Sequence, residues 1–175
     1  MFVNNIERGK NFDYSKELYL VRRRLEKRIA KQQINGFYVC SLSFESIIYK
    51  GLFLAEQLSI FYPDLANESF VSSYAVFHQR YSTNTFPSWG LAQPFRMLAH
   101  NGEINTISGN TNWMRNHQTR IATEIFGDDS EQVKPIIEKN VSDSAALDAA
   151  FELYVRAGRS VPLVKTLLML SLIHI

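Results

Sequence analysis

Cysteine is nearly missing from this sequence: Cys40 is the single one in 175 residues. That excludes an internal disulfide framework and a cysteine-rich metal site, and it fits a reducing compartment. Long apolar runs are missing as well. No stretch approaches the ~18 consecutive apolar residues that a membrane span needs, and Met1 to Lys10 is mixed polar without the apolar centre of a secretory signal. A strong excess of one charge is also absent. Nineteen Lys and Arg against 17 Asp and Glu give a net charge of +2, too little to argue for nucleic acid or a membrane surface. Neither internal repeats nor low-complexity tracts interrupt the chain. A cytoplasmic location is expected, with a plastid as the alternative.

What remains is ordinary globular composition, 46% hydrophobic and 21% charged, in a chain long enough to bury roughly 70% of its unfolded surface. Apolar residues Leu18, Val21, Leu25 and Ile29 recur at helical spacing and predict a helix from about Tyr14 to Gln32. Asp13 or Ser15 is placed to cap its start, and Asn35-Gly36 to stop it. Arg22, Arg23, Arg24, Lys27, Arg28 and Lys31 then read as a solvated face, because no aromatic residues interleave with them to stack on bases.

Phe37 to Leu42 and Ser46 to Leu52 read as strands, rich in aromatic and β-branched residues, as do Tyr74 to Arg80 and Phe95 to His100. A short helix is expected over Ala55 to Phe61, ended by Pro63, and another from Glu103 through Trp113 and Met114. Gly127 to Ser130 reads as a surface turn. Ser142-Asp143-Ser144 is a cap signature for a helix from about Asp143 to Ala157, with Ala146, Ala149, Ala150, Leu153 and Tyr154 on one side. A last helix begins near Pro162. Strands in sequential pairs flanked by helices point to an α+β class rather than a doubly wound parallel sheet.

Chemistry concentrates at the ends of two of these apolar runs. Arg80 carries a planar guanidinium that can grip a carboxylate bidentately, with the Thr83 hydroxyl three residues on; a lone strand-end Arg is equally suited to a surface ion pair. Asn101-Gly102 can aim an amide and a backbone N–H at a developing oxyanion, and it is also the commonest turn dipeptide. Asp143 either caps a helix or receives an ammonium group. His78, His100 and His117 match no zinc spacing, so no metal site is expected. Cys40 sits in an apolar run and reads as a buried, inert thiol.

The stretch from His78 to Arg115, HQRYSTNTFPSWGLAQPFRMLAHNGEINTISGNTNWMR, closely resembles the glutaminase domain of glutamate synthases, within the class II (amino-terminal-nucleophile) glutamine amidotransferases. FYVCSLS at Phe37 to Ser43, YKG at Tyr49 to Gly51, FYPDL at Phe61 to Leu65 and SDSAALD at Ser142 to Asp148 resemble it too. The resemblance implies an αββα four-layer sandwich of the amino-terminal-nucleophile hydrolase type, here incomplete, with residues 1–170 a partial domain. By position, Arg80 with Thr83 is expected to bind the glutamine α-carboxylate, Asp143 the α-ammonium, and Asn101 and Gly102 the oxyanion. In such a domain an amino-terminal cysteine, helped by its own α-amine, attacks the glutamine amide and releases glutamate and ammonia. The ammonia is then combined reductively with 2-oxoglutarate.

Two departures qualify this expectation. The chain opens Met1-Phe2 with no cysteine nearby, so it is expected to begin inside the domain and to be inactive alone; Cys40 is internal and cannot supply a free α-amine. Residues 171–175, Ser-Leu-Ile-His-Ile, depart from the family pattern and need not be native. No cofactor is expected in this segment, whereas FMN and an iron–sulfur cluster are implied for the full-length parent. Expected partners are glutamine, the remaining domains of the parent and a small electron-donating subunit, with no nucleic acid and no membrane. The alternatives are a non-catalytic glutamine-binding module and a fragment of another class II amidotransferase.

Overall fold

The Asp13 side chain accepts the Lys16 N–H at 3.0 Å and so starts the first helix, α1 (Tyr14–Lys31). The computed structural model describes residues 13–79, 88–100, 104, 107–139 and 141–169. In those residues α1 is followed by α2 (Leu58–Phe61), flanked by single 3₁₀ turns, then α3 (Ile107–Phe126), α4 (Ser130–Val133), α5 (Asp143–Arg156) and α6 (Val161–Met169). Helices α1, α3, α4 and α5 pack on one another, and α6 lies against α5. Their shared core holds Tyr19 and Leu20 of α1, Met114, Ala122 and Phe126 of α3, Val133 of α4, Ile136, Ile137, and Ala146, Ala150 and Leu153 of α5. The Tyr19 and Phe126 rings meet with centroids 5.7 Å apart.

Helix positions follow the sequence reading, but their burial does not always. Helix α1 turns inward a face holding Tyr19, Leu20, Arg22 and Arg23, while Val21 (47%) and Leu25 (38%) of the expected apolar stripe stay exposed. The expected solvated basic face is therefore corrected at Arg22 and Arg23, both buried. The charge of Arg22 is met at the core boundary by Glu26 and Glu152, and that of Arg23 by Glu26 and Glu138. Helix α1 also stops before Asn35-Gly36, because Gln33 takes the left-handed backbone (φ 56°) and Ile34 N–H returns to the Ile29 carbonyl at 3.3 Å. Helix α3 runs on to Phe126, well past Met114. The expected surface turn at Gly127 is a 3₁₀ turn that feeds Ser130, a buried residue, into α4.

The larger correction concerns the strands. Among the described residues none pairs in a β-ladder, so the four-layer sandwich is not seen and the packed layer is helical. Segments 37–42 and 46–52 approach each other, yet the Ile48 N–H goes to the Ser41 hydroxyl at 3.1 Å rather than to a backbone carbonyl. Segment 74–79 is exposed along its length, with Phe77 83% accessible. Segment 95–100 begins with a tight turn in which Phe95 N–H meets the Leu98 carbonyl at 2.8 Å. Aromatic and β-branched content marks a segment that suits a pleated, half-buried surface, and the ladder itself needs a partner. Cys40, expected to be buried, is half-buried.

Candidate active site

The start of α5 organises the site. Ser142 is its N-cap, accepting the Ala145 N–H at 3.1 Å, so Asp143 is released from the capping role the sequence left open. Its half-buried carboxylate works sideways. Oδ1 accepts from the backbone N–H of Ser144 at 2.7 Å and from the Ser144 hydroxyl at 3.2 Å, and Oδ2 accepts the Ile104 N–H at 3.1 Å. A carboxylate offers about four acceptor positions. These three donors leave Oδ2 able to take one more, which suits a ligand ammonium.

The Ser144 hydroxyl is 2.8 Å from His100 Nε2. The first turn of α5 is thus bonded to His100 and to Ile104, the described residues on either side of Asn101-Gly102. Asn101, Gly102, Arg80 and Thr83 lie outside the described residues. Two of the sequence motifs, AHNGEIN and SDSAALD, therefore meet through their neighbours at the α5 terminus.

One turn further along α5 stands Asp148, which the sequence reading did not single out and which is only 3% exposed. Its Oδ1 accepts the Met97 N–H at 2.8 Å and the Leu98 N–H at 3.0 Å, and Oδ2 accepts the Arg96 N–H at 3.3 Å. Burial pushes this carboxyl up to about 6, although the Met97 N–H and the Arg96 guanidinium draw it the other way. The available signal was its place at the end of SDSAALD, four residues after Ser144 and hence on the same helix face.

Behind this turn lies a network of buried charge. Arg96 donates to Glu26 at 3.0 Å and to the Val39 carbonyl at 2.6 Å, and its guanidinium stacks 4.7 Å from the Tyr38 ring. Glu26 also takes Arg22 at 2.7 Å and Arg23 at 3.1 Å. Burial opposes ionisation of Glu26, yet Arg22, Arg96 and Arg23 together hold its carboxyl below the usual carboxylate range. Lys50, from YKG, donates to the carbonyls of Trp89 (2.9 Å) and Ala92 (2.7 Å), with Nζ 4.7 Å from the Tyr38 ring. Burial lowers the Lys50 ammonium to about 8. A groove of about 440 Å³ floored by Phe37, Tyr38 and Trp89 opens nearby, and Asp143 is not part of its lining. Among the described residues no group of three or more His, Cys, Asp or Glu is placed to hold a metal ion, and no described helix is long and apolar enough to cross a membrane.

Comparison with known proteins gives these contacts a family. The class II glutamine amidotransferase family matches residues 1–171. The NADPH-dependent glutamate synthase large chain of Azospirillum brasilense is 56% identical over 168 residues, 96% of this chain and 11% of that protein. The Bacillus subtilis large chain is 47% identical over 149 residues, covering 85% of this chain and 10% of its own length. The chloroplastic ferredoxin-dependent glutamate synthase of Spinacia oleracea is 45% identical over 161 residues, 91% and 10% respectively. The chain thus spans about a tenth of the length of these curated relatives.

Proposed function

The chain belongs to the class II glutamine amidotransferases, and from that membership we propose that it forms the glutamine pocket of a glutamate synthase. In that pocket Asp143 receives the glutamine ammonium, Arg80 with Thr83 holds the α-carboxylate, and Asn101 and Gly102 stabilise the oxyanion as the side-chain amide is attacked. The observation that carries this reading is the bonding of Asp143 and Ser144 to Ile104 and His100, on both sides of Asn101-Gly102. A site that hydrolyses an amide needs its ammonium acceptor and its oxyanion donors on one rigid support, and the α5 terminus offers one.

The attacking thiol comes from elsewhere in this proposal. Cys40 is the single cysteine of the 175 residues, and its α-nitrogen is tied up in a peptide bond. Losing the nucleophile of such a unit costs on the order of 10⁶ in turnover, so these residues by themselves bind glutamine without hydrolysing it usefully. Reduction of 2-oxoglutarate, the flavin and iron–sulfur cofactors and the electron-donating partner belong to other parts of the parent enzyme.

Grafting tests the proposal. The matching segment of the A. brasilense large chain is replaced by residues 1–171 of this chain, the span that matches the family, and glutamate formation is followed with glutamine and, separately, with ammonium as nitrogen source. Glutamine-dependent activity is expected within about tenfold of the parent, and Asp143→Asn in the graft is expected to raise KM for glutamine by about 10–100-fold, the worth of one charged hydrogen bond. A graft that uses ammonium normally but not glutamine overturns the proposal.

A further inference from the structure

Residues 96–98, His100 and Ile104 are attached to the first two turns of α5 at three levels. Ile104 N–H is held by Asp143, His100 by Ser144, and the N–H groups of Arg96, Met97 and Leu98 by Asp148. Three converging N–H donors on one buried carboxylate need an explanation, because a buried charge is costly unless something offsets it. Asp148 is not a cap, since it lies in the middle of α5, and among the described residues no ion pair joins it to a side chain within 4.0 Å. Its two oxygens are given to the backbone of the Phe95–Leu98 turn, which is also closed by Phe95 N–H to the Leu98 carbonyl at 2.8 Å. His100 N–H is fixed in turn by the Gln93 side chain at 2.9 Å. Just before Asn101, Asp148 and Gln93 thus hold the backbone N–H groups of Arg96, Met97, Leu98 and His100, and Ser144 holds the His100 ring.

We propose that Asp148 is a positioning residue for the oxyanion donors. Its carboxylate sets the course of the chain through Arg96–Leu98, and Ser144 repeats the grip at His100, so that Asn101 and Gly102 leave a fixed support. This rests on the glutaminase reading above. Displacing an oxyanion donor acts on the transition state far more than on the ground state, whereas Arg80 and Asp143 hold the bound substrate. Asp148→Asn keeps the shape but turns one N–H acceptor into an NH₂ that faces a backbone donor. Its effect should therefore fall on kcat and spare KM.

The test uses the same graft, so the two ideas fail differently: loss of glutamine use by the unmutated graft defeats the function, and the variants are compared only in a graft that uses glutamine. In Asp148→Asn, kcat for glutamine hydrolysis is expected to drop about 30–100-fold, short of removing a donor outright, with KM changed less than threefold. L-glutamate γ-semialdehyde, which the thiol converts to a tetrahedral oxyanion, should inhibit the variant at least tenfold more weakly, while product L-glutamate inhibits as before. Ser144→Ala removes one hydroxyl and no charge, and should show the same split at about 3–10-fold, which keeps the test decisive if Asp148→Asn loses its ammonium-dependent activity by misfolding. Equal loss of affinity for the aldehyde and for glutamate, or no kcat effect in either variant, overturns the inference.

Discussion

Arg22 of α1 donates to Glu152 of α5 across 2.5 Å, and the two side chains are only 4% and 7% exposed. The pair joins helices 130 residues apart in the chain. It is continuous with Glu26, which Arg22, Arg23 and Arg96 share. Burial would lower the Arg22 guanidinium, but Glu152 and Glu26 raise it, so it stays charged. Arg22→Met should cost about 3–5 kcal/mol, because it leaves Glu152 buried and unpaired. The double variant Arg22→Met with Glu152→Met should recover much of that loss, since a buried pair is replaceable by packed apolar groups. Urea unfolding of the four proteins of the cycle measures the coupling; strictly additive losses would show that the contact carries no energy of its own.

That pair also marks where sequence reading stops. Helix α5 was legible: Ser142 caps it, and Ala146, Ala150 and Leu153 are buried as their spacing requires. Helix α1 was legible in extent but not in orientation. Hydropathy ranks Leu25 above Arg23, and it cannot register Glu26, Glu138 or Glu152 waiting to receive buried arginines. Strand expectations failed for a related reason, since pairing depends on residues remote in sequence, and Tyr74, Val76 and Phe77 find no strand partner among the described residues. At the site, the sequence singled out Asp143 through its motif and passed over Asp148 in the same motif. Nothing local distinguishes a carboxylate that holds a distant turn from one that faces water.

Ser142 and Asp143 are neighbours with separable duties. Ser142→Ala removes the Ala145 N–H acceptor and should cost about 1 kcal/mol of stability, with KM for glutamine in the grafted enzyme little changed. Asp143→Asn should do the reverse, lowering stability by less than Ser142→Ala while raising that KM. Thermal unfolding alongside glutamine kinetics gives the comparison. If both variants lose mainly stability, Asp143 is a structural residue and no more.

Asp148 supplies a pH signature with a definite sign. Its carboxyl is raised by burial to about 6 in the folded chain, against about 3.9 unfolded. The folded protein therefore holds an extra proton between pH 4 and 6, and this group's contribution to stability is greatest below pH 4 and is lost as pH rises through 6. The full difference is on the order of 3 kcal/mol. Asp148→Asn does not titrate, so the stability gap between wild type and variant should widen in favour of wild type from pH 7 to pH 4. Urea midpoints at several pH values test this. A gap that stays flat would mean that the three backbone donors cancel the effect of burial, and one that narrows towards pH 4 would mean that they outweigh it.

Lys50 should betray its surroundings chemically. Its ammonium is enclosed by the Trp89 and Ala92 carbonyls and lies over the Tyr38 and Phe95 rings, at 4.7 and 5.6 Å. Burial lowers it to about 8, with Cys40 opposing and Arg96 assisting to smaller extents. An exposed lysine near 10.4 is less than about 1% neutral at pH 8, whereas Lys50 is about half neutral there. Competitive acetylation with limiting reagent, read peptide by peptide, should give a rate for Lys50 that levels off near pH 8, while that of a short lysine peptide added as standard continues to rise towards about pH 10. Glu26→Gln should lower that midpoint only slightly, because Glu26 touches Arg96 and not Lys50. Tyr38→Leu removes a ring that favours the cation, and it should lower the midpoint further. A Lys50 profile superimposable on that of the peptide standard would mean that water reaches the amine freely and that the cage is open in solution.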